Sequence, residues 1–125
     1  MQCAPFLLES LQTVSAATRA EMTRAIEEAW DVYYPIGEGG DLGDLGFSFG
    51  ALLFTMEDYP RALEYFQRSL ELVGADPKTT LNIAVCLYRL GQLADCVEWI
   101  DRTLDLDPAG ESAQEMRATV NAELG

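Results

Sequence analysis

Three carboxylates, Glu38, Asp41 and Asp44, stand three residues apart in the stretch PIGEGGDLGDLG, among glycines at positions 37, 39, 40, 43 and 46. Carboxylates so spaced could bind calcium, and a glycine-rich loop could cradle a phosphate with its backbone N–H groups. Neither pattern is complete. The spacing is not that of an EF-hand loop or a calcium-binding nonapeptide, and no Lys-Ser/Thr pair follows the glycines. Residues 36–45 are therefore expected to be a flexible connector. The chain has no histidine, which removes Ser-His-Asp and Cys-His mechanisms and the commonest zinc ligand. Cys86 and Cys96 fall within helical patterns and read as packing residues. Cys3 has no neighbour that would lower its pKa. Acid pairs such as Glu27-Glu28 and Asp105-Asp107 read as solvated helix surface. No catalytic residue, metal or cofactor is expected, and the chain reads as a non-enzyme.

The charge balance is more informative. Eight basic residues against 21 acidic ones give a net charge of −13 over 125 residues. Such a chain repels phosphate backbones and anionic lipid surfaces, so neither nucleic acid nor membrane is an expected partner. A basic partner is electrostatically favoured; the alternative is that the charge serves solubility alone. No stretch approaches the ~20 consecutive apolar residues of a membrane span. The opening MQCAPFLLES lacks a basic region, so no signal peptide is expected. An odd number of cysteines without framework spacing points to a reducing, cytoplasmic setting.

Behind these residues lies a repeat. YPRALEYFQRSLEL at 59–72 and LADCVEWIDRTLDL at 93–106 align with an offset of 34 residues. The same offset carries Ala62 to Cys96, Phe66 to Ile100, and Leu70 to Leu104. Extended backwards, it carries Phe49 to Ile83, Gly50 to Ala84, Leu53 to Leu87, and Phe54 to Tyr88. Each unit reads as two helices joined by a tight turn. Phe47, Phe49, Leu52, Leu53 and Phe54 make a first helix with little polar surface. Ala62, Leu63, Phe66 and Leu70 form one face of a second helix. Asp58 can N-cap that second helix with Pro60 in its first turn, and Gly91 can end a helix in the left-handed conformation. Asp76-Pro77 and Asp107-Pro108 punctuate the units.

A helix–turn–helix unit of this length and pattern resembles the tetratricopeptide repeat. That family's small, small, aromatic and Pro landmarks fall here on Gly50, Ala62, Phe66 and Gly74, then on Ala84, Cys96, Ile100 and Pro108. Gly74 departs from the pattern. So do Gly46 and Thr80, where the family carries Trp, and Leu53 and Leu87, where it carries Tyr. The resemblance implies an all-α, right-handed solenoid of two repeats over 46–108. It adds an N-terminal helical flank over 1–35 and a C-terminal capping helix within 109–125, one domain overall. In the cap, Ala118 continues the register, and Ala113, Met116, Val120 and Leu124 form an inward stripe. In the flank, Thr18 and Glu21 have capping-box spacing ahead of Met22, Ile26, Trp30 and Tyr33, and a break is expected near Ser15. Before it, Pro5 can open a helix whose apolar face is Phe6, Leu7, Leu8 and Leu11.

The resemblance further implies non-catalytic binding of a protein or peptide segment, as by an adaptor or a chaperone-like module. The ligand would lie on the concave face lined by each unit's first helix. Carried onto this chain, that groove is Phe47, Ala51, Phe54 and Thr55, then Lys78, Leu81, Val85, Tyr88 and Arg89. Such a strip suits an apolar, basic or amphipathic segment, with a carboxylate anchoring at Arg89. A subset of the family clamps a C-terminal carboxylate with Lys, Asn and Arg. Only Asn82 fits that pattern, Phe47, Ala51 and Met116 standing elsewhere, so the clamp is not expected. Two alternatives stay open: the N-terminal helices bearing Trp30, Tyr33 and Tyr34 fill the groove, or the open ends of the solenoid drive self-association into a homo-oligomer.

Overall fold

The computed structural model describes residues 16–124, and the chain divides into two compact units, residues 1–35 and 36–125, each described by itself. Cys3, Pro5, the Phe6–Leu11 stripe and the expected break near Ser15 lie outside the described residues. The first unit contributes helix α1, Ala16–Tyr33. Ile26 and Trp30 are buried on one face with Thr23, and Met22 is half-buried. The Trp30 ring packs against Tyr34 at 5.8 Å between centroids. One expectation fails here: Thr18 lies inside the helix rather than at its cap. Tyr33, at the final helical position, is exposed.

The second unit is built from α2 (Gly39–Thr55), α3 (Tyr59–Val73), α4 (Pro77–Arg89), α5 (Leu93–Leu106) and α6 (Glu111–Leu124). The described chain is all-helical: α2 pairs antiparallel with α3, and α4 with α5. Smaller contacts join α3 to α4 and α5 to α6. The turns repeat as the sequence does. Asp58 N–H donates to Leu53 O at 2.9 Å, and Gln92 N–H to Leu87 O at 2.9 Å. The left-handed residue falls on Glu57 in one turn (φ 63°) and on Gly91 in the other (φ 79°). Asp58 caps α3 by accepting from Arg61 N–H at 3.4 Å. Asp76 caps α4 more fully, accepting from Lys78 N–H at 2.9 Å and Thr79 N–H at 3.1 Å.

The glycine-rich stretch is not a loop throughout: α2 begins at Gly39, and Leu42 and Gly43 are buried. Glycine costs about 1 kcal/mol in a helix interior relative to alanine, and here contact with α3 offsets that cost. A Cβ on Gly43 would overlap the Val73 side chain, and one on Gly50 would lie 2.8 Å from the Phe66 ring. The close approach is sealed by a buried hydrogen bond, Ser69 Oγ donating to Gly43 O at 2.7 Å. In the second repeat Thr80 and Thr103 stand where the first repeat has Gly46 and Ser69, and their hydroxyls are 2.8 Å apart.

The core runs through both pairs: Leu53, Ala62, Tyr65 and Phe66, then Ile83, Ala84, Cys86, Leu87, Cys96 and Ile100 are buried. Of the stripe expected on α6, Ala113 and Val120 are buried and Met116 is half-buried, but Leu124 is 54% exposed.

Two alanine substitutions in α2 should have opposite signs. Gly40 has nothing within 4 Å of an added Cβ, so Gly40→Ala should stabilise by about 0.5 kcal/mol through helix propensity. Gly50→Ala should destabilise by about 1–3 kcal/mol by overpacking against Phe66. Urea midpoints with a common slope measure both, and a shared sign would contradict the close-packing account.

Candidate protein-binding groove

The expected groove residues sit on α2 and α4, the first helices of the two pairs, because the 34-residue period places them at equal helical phase. Phe47 is half-buried. Its ring meets Phe66 edge-on at 5.4 Å, while the Lys78 Nζ lies 4.9 Å above its centroid. This cation–π contact links the first helices of the two helix pairs, α2 and α4. Phe54 turns instead toward its own unit's second helix, meeting Tyr59 edge-on at 5.1 Å. Ala51 and Thr55 are exposed, and the Thr55 hydroxyl donates to Ala51 O at 3.0 Å. Leu81 and Val85 are half-buried and Arg89 is exposed.

Tyr88 is half-buried and reaches α6, its hydroxyl donating to Glu123 Oε1 at 2.9 Å. The accepting carboxylate holds the phenol proton, so the Tyr88 pKa lies above its ordinary 10.0; burial and the negative charge of Glu123 add to this, and Arg89 opposes it. Glu123 escaped the sequence reading because the pairing depends on where α6 docks.

Two clefts open on either side of Lys78. One, of about 290 Å³, lies between α2, α3 and the start of α4, with Phe47, Val73, Asp44 and Asp76 on its walls. The other, of about 430 Å³, lies between the first turns of α4 and α6 and the end of α5, with Leu81, Asp107 and Glu111 on its walls. The sequence marked Asp44 only as an incomplete calcium pattern and Asp76 and Asp107 only as helix punctuation, although shifting Lys78 by 34 residues in either direction lands on cleft positions, Asp44 and Ser112.

Cys86 and Cys96 are free and fully buried. Burial pushes the Cys86 thiol up to about 12, and burial together with Glu123 raises Cys96. A thiol that holds its proton is not a nucleophile at neutral pH. Among the described residues, no group of three or more His, Cys, Asp or Glu side chains could hold a metal ion, and no helix is long and apolar enough to cross a membrane.

Helix pairs in tandem, in constant register and with small residues at the crossing points, define a helical-repeat protein. The family profile of the tetratricopeptide repeat matches residues 53–120, and the chain belongs to that family. The match starts within α2 and takes in most of α6, later at both ends than the span suggested by the landmarks. The fold is generally associated with non-catalytic protein–protein interaction. A stretch of 62 residues, half of this chain, is 29% identical to intraflagellar transport protein 70A of Danio rerio, and spans 10% of that protein's length.

The Tyr88–Glu123 contact has a titration signature. A raised folded-state pKa means the contact stabilises below pH 10 and is lost as pH rises through the shifted value. In a spectrophotometric titration, Tyr88→Phe should remove a tyrosine component that ionises above pH 10, and Glu123→Gln should shift that component to lower pH. Loss of an early component in Tyr88→Phe would contradict the assignment.

Proposed function

We propose that the second unit holds a segment of another protein along the face formed by Phe47, Ala51, Phe54, Lys78, Leu81, Val85, Tyr88 and Arg89, acting as an adaptor or chaperone-like module. The observation carrying this reading is the Lys78–Phe47 contact, which joins the first helices of the two repeats on the expected groove face. Half-buried Leu81, Val85 and Tyr88 then offer apolar surface with a polar border. The net charge of −13 favours a basic or amphipathic segment. The free buried thiols fit a reducing compartment such as the cytoplasm.

The test compares partner capture by the wild type with Phe54→Glu/Tyr88→Glu and with Ala51→Arg. Ala51 is exposed, so the last change leaves the core alone. Affinity should fall about tenfold or more in both while helicity is kept. Binding that survives both substitutions in folded protein would remove the groove from this reading.

A second reading, self-association through the α6 end, is favoured by one observation. Ala118 is exposed, whereas Gly50 and Ala84 in the same register are buried under the second helices of their units. A second copy packing there would bury Ala118 together with Leu124. Sedimentation velocity should then show a dimer that Ala118→Glu dissociates, whereas a monomer at every concentration rules this reading out.

A further inference from the structure

Tyr88, Arg89 and Glu123 come together between the ends of α4 and α6, and one of the three is left without a partner. The 34-residue period puts Thr55, Arg89 and Glu123 at equal phase in the last turns of α2, α4 and α6. Glu123 is therefore the carboxylate that the register sets beside Arg89, yet among the described residues no ion pair joins them. Its Oε1 accepts instead from the Tyr88 hydroxyl at 2.9 Å. Arg89 and Glu123 act in opposite directions on the ionisation of that hydroxyl, so the three groups lie close to one another.

The surroundings of Arg89 are unlike those of the other arginines in the second unit. Arg61, Arg102 and Arg117 pair with carboxylates, and Arg68 stacks on Tyr65. Among the described helices only α4 carries no Asp or Glu, so Arg89 has no acidic neighbour a turn away on its own helix. On the α2 side the residue at equal phase is Thr55, which is neutral. Val85, one turn before Arg89 on the groove face, is half-buried, while Arg89 itself is exposed. We propose that Tyr88 is a positioning residue: by holding Glu123 it keeps the Arg89 guanidinium open, and Arg89 takes a carboxylate of the bound segment. Two parallel N–H···O bonds suit such a pair. The segment would carry Asp or Glu next to an apolar residue, which lies against Val85. The inference rests on the groove reading above and fixes one point of it. The acidity of the chain as a whole acts at longer range and leaves this contact to local geometry. Arg89 also stands outside the Lys, Asn and Arg clamp, whose positions fall here on Phe47, Ala51, Asn82 and Met116.

Without the Tyr88 hydroxyl, Glu123 would turn to Arg89 and compete with the ligand. NMR signals of the arginine Nε–Hε groups and of the Val85 amide are followed in the full chain as three probes are added: acetyl-Leu-Glu-Leu amide and its Gln and Lys counterparts. The Glu probe should shift the Arg89 side-chain signal, assigned through Arg89→Gln, and the Val85 amide saturably. The Gln probe should bind about fivefold more weakly, and the Lys probe should leave the Arg89 signal in place. Tyr88→Phe should weaken the Glu probe about threefold. Adding Glu123→Gln to that variant should restore the affinity, which loss of a direct Tyr88 contact would not allow. No saturable shift at Arg89, equal binding of the Gln probe, an unchanged affinity in Tyr88→Phe, or a loss that Glu123→Gln leaves unrepaired would overturn the proposal. Failure here with partner capture still sensitive to Ala51→Arg would leave the groove standing without this anchor. Loss of that sensitivity, with the Arg89 response intact, would keep the carboxylate site and remove the groove.

Discussion

Helices α2 and α3 lie as close as they do because α2 turns Gly43, Gly46 and Gly50 toward its partner. Everything downstream in the first pair follows from that approach. With no side chain at Gly50, the Phe66 ring drops against the α2 backbone and is fully buried. Phe66 in that position meets Phe47 edge-on and fixes the plane of its ring. Phe47 then presents one face to the Lys78 ammonium from the next unit. A backbone constraint inside one helix pair is thereby passed, ring by ring, to the surface where two units meet.

The second pair reaches a comparable packing by other means. Ala84 takes the place of Gly50 and Ile100 that of Phe66, a small residue opposite an aliphatic one instead of none opposite an aromatic. Thr80 and Thr103 bring hydroxyls where the first pair has Gly46 and Ser69. Those hydroxyls are buried, so each must find a partner. They lie 2.8 Å from each other, with the Asp76 carbonyl 3.1 Å from Thr80 Oγ1 and the Trp99 carbonyl 2.9 Å from Thr103 Oγ1. One repeat thus tolerates two solutions, provided that volume and hydrogen-bonding capacity are matched across the crossing helices.

The period, the helix pairs, the Asp58 cap and the helix-ending role of Gly91 were legible in the sequence because each is local or recurs at a fixed offset. The helical start at Gly39 was not. Glycine reads as a breaker from propensity alone, and only the partner helix, some 26 residues on at Ser69, shows why the side chains had to be absent. Thr18 went astray for a related reason: spacing alone does not say where a helix starts. The register put Phe47 and Lys78 on corresponding first helices, and the two are in contact. Glu123, 35 residues from Tyr88, was not legible as its partner, since the contact depends on the docking of α6. Asp44, Asp76 and Asp107 were visible in the sequence but for other reasons, as a loop pattern and as helix punctuation; that they line clefts depends on how neighbouring helices pack.

That surplus of acid also sets what the few cations of the second unit do. Arg61, Arg102 and Arg117 pair with Asp58, Glu98 and Asp101, and Arg68 and Arg102 also stack on Tyr65 and Trp99. Exposed pairs of this kind contribute little to stability but locally balance the acidic field. Lys78 differs, since its ammonium rests on an aromatic face at a unit junction. A long-range negative field determines which partners approach, and falls off within about 10 Å at ordinary ionic strength. Discrimination between partners must then come from contacts at close range, where cavity shape and the placement of individual charges decide the outcome. Two related clefts, one walled by the Phe47 ring and one by Leu81, give the same helical repeat two different surfaces.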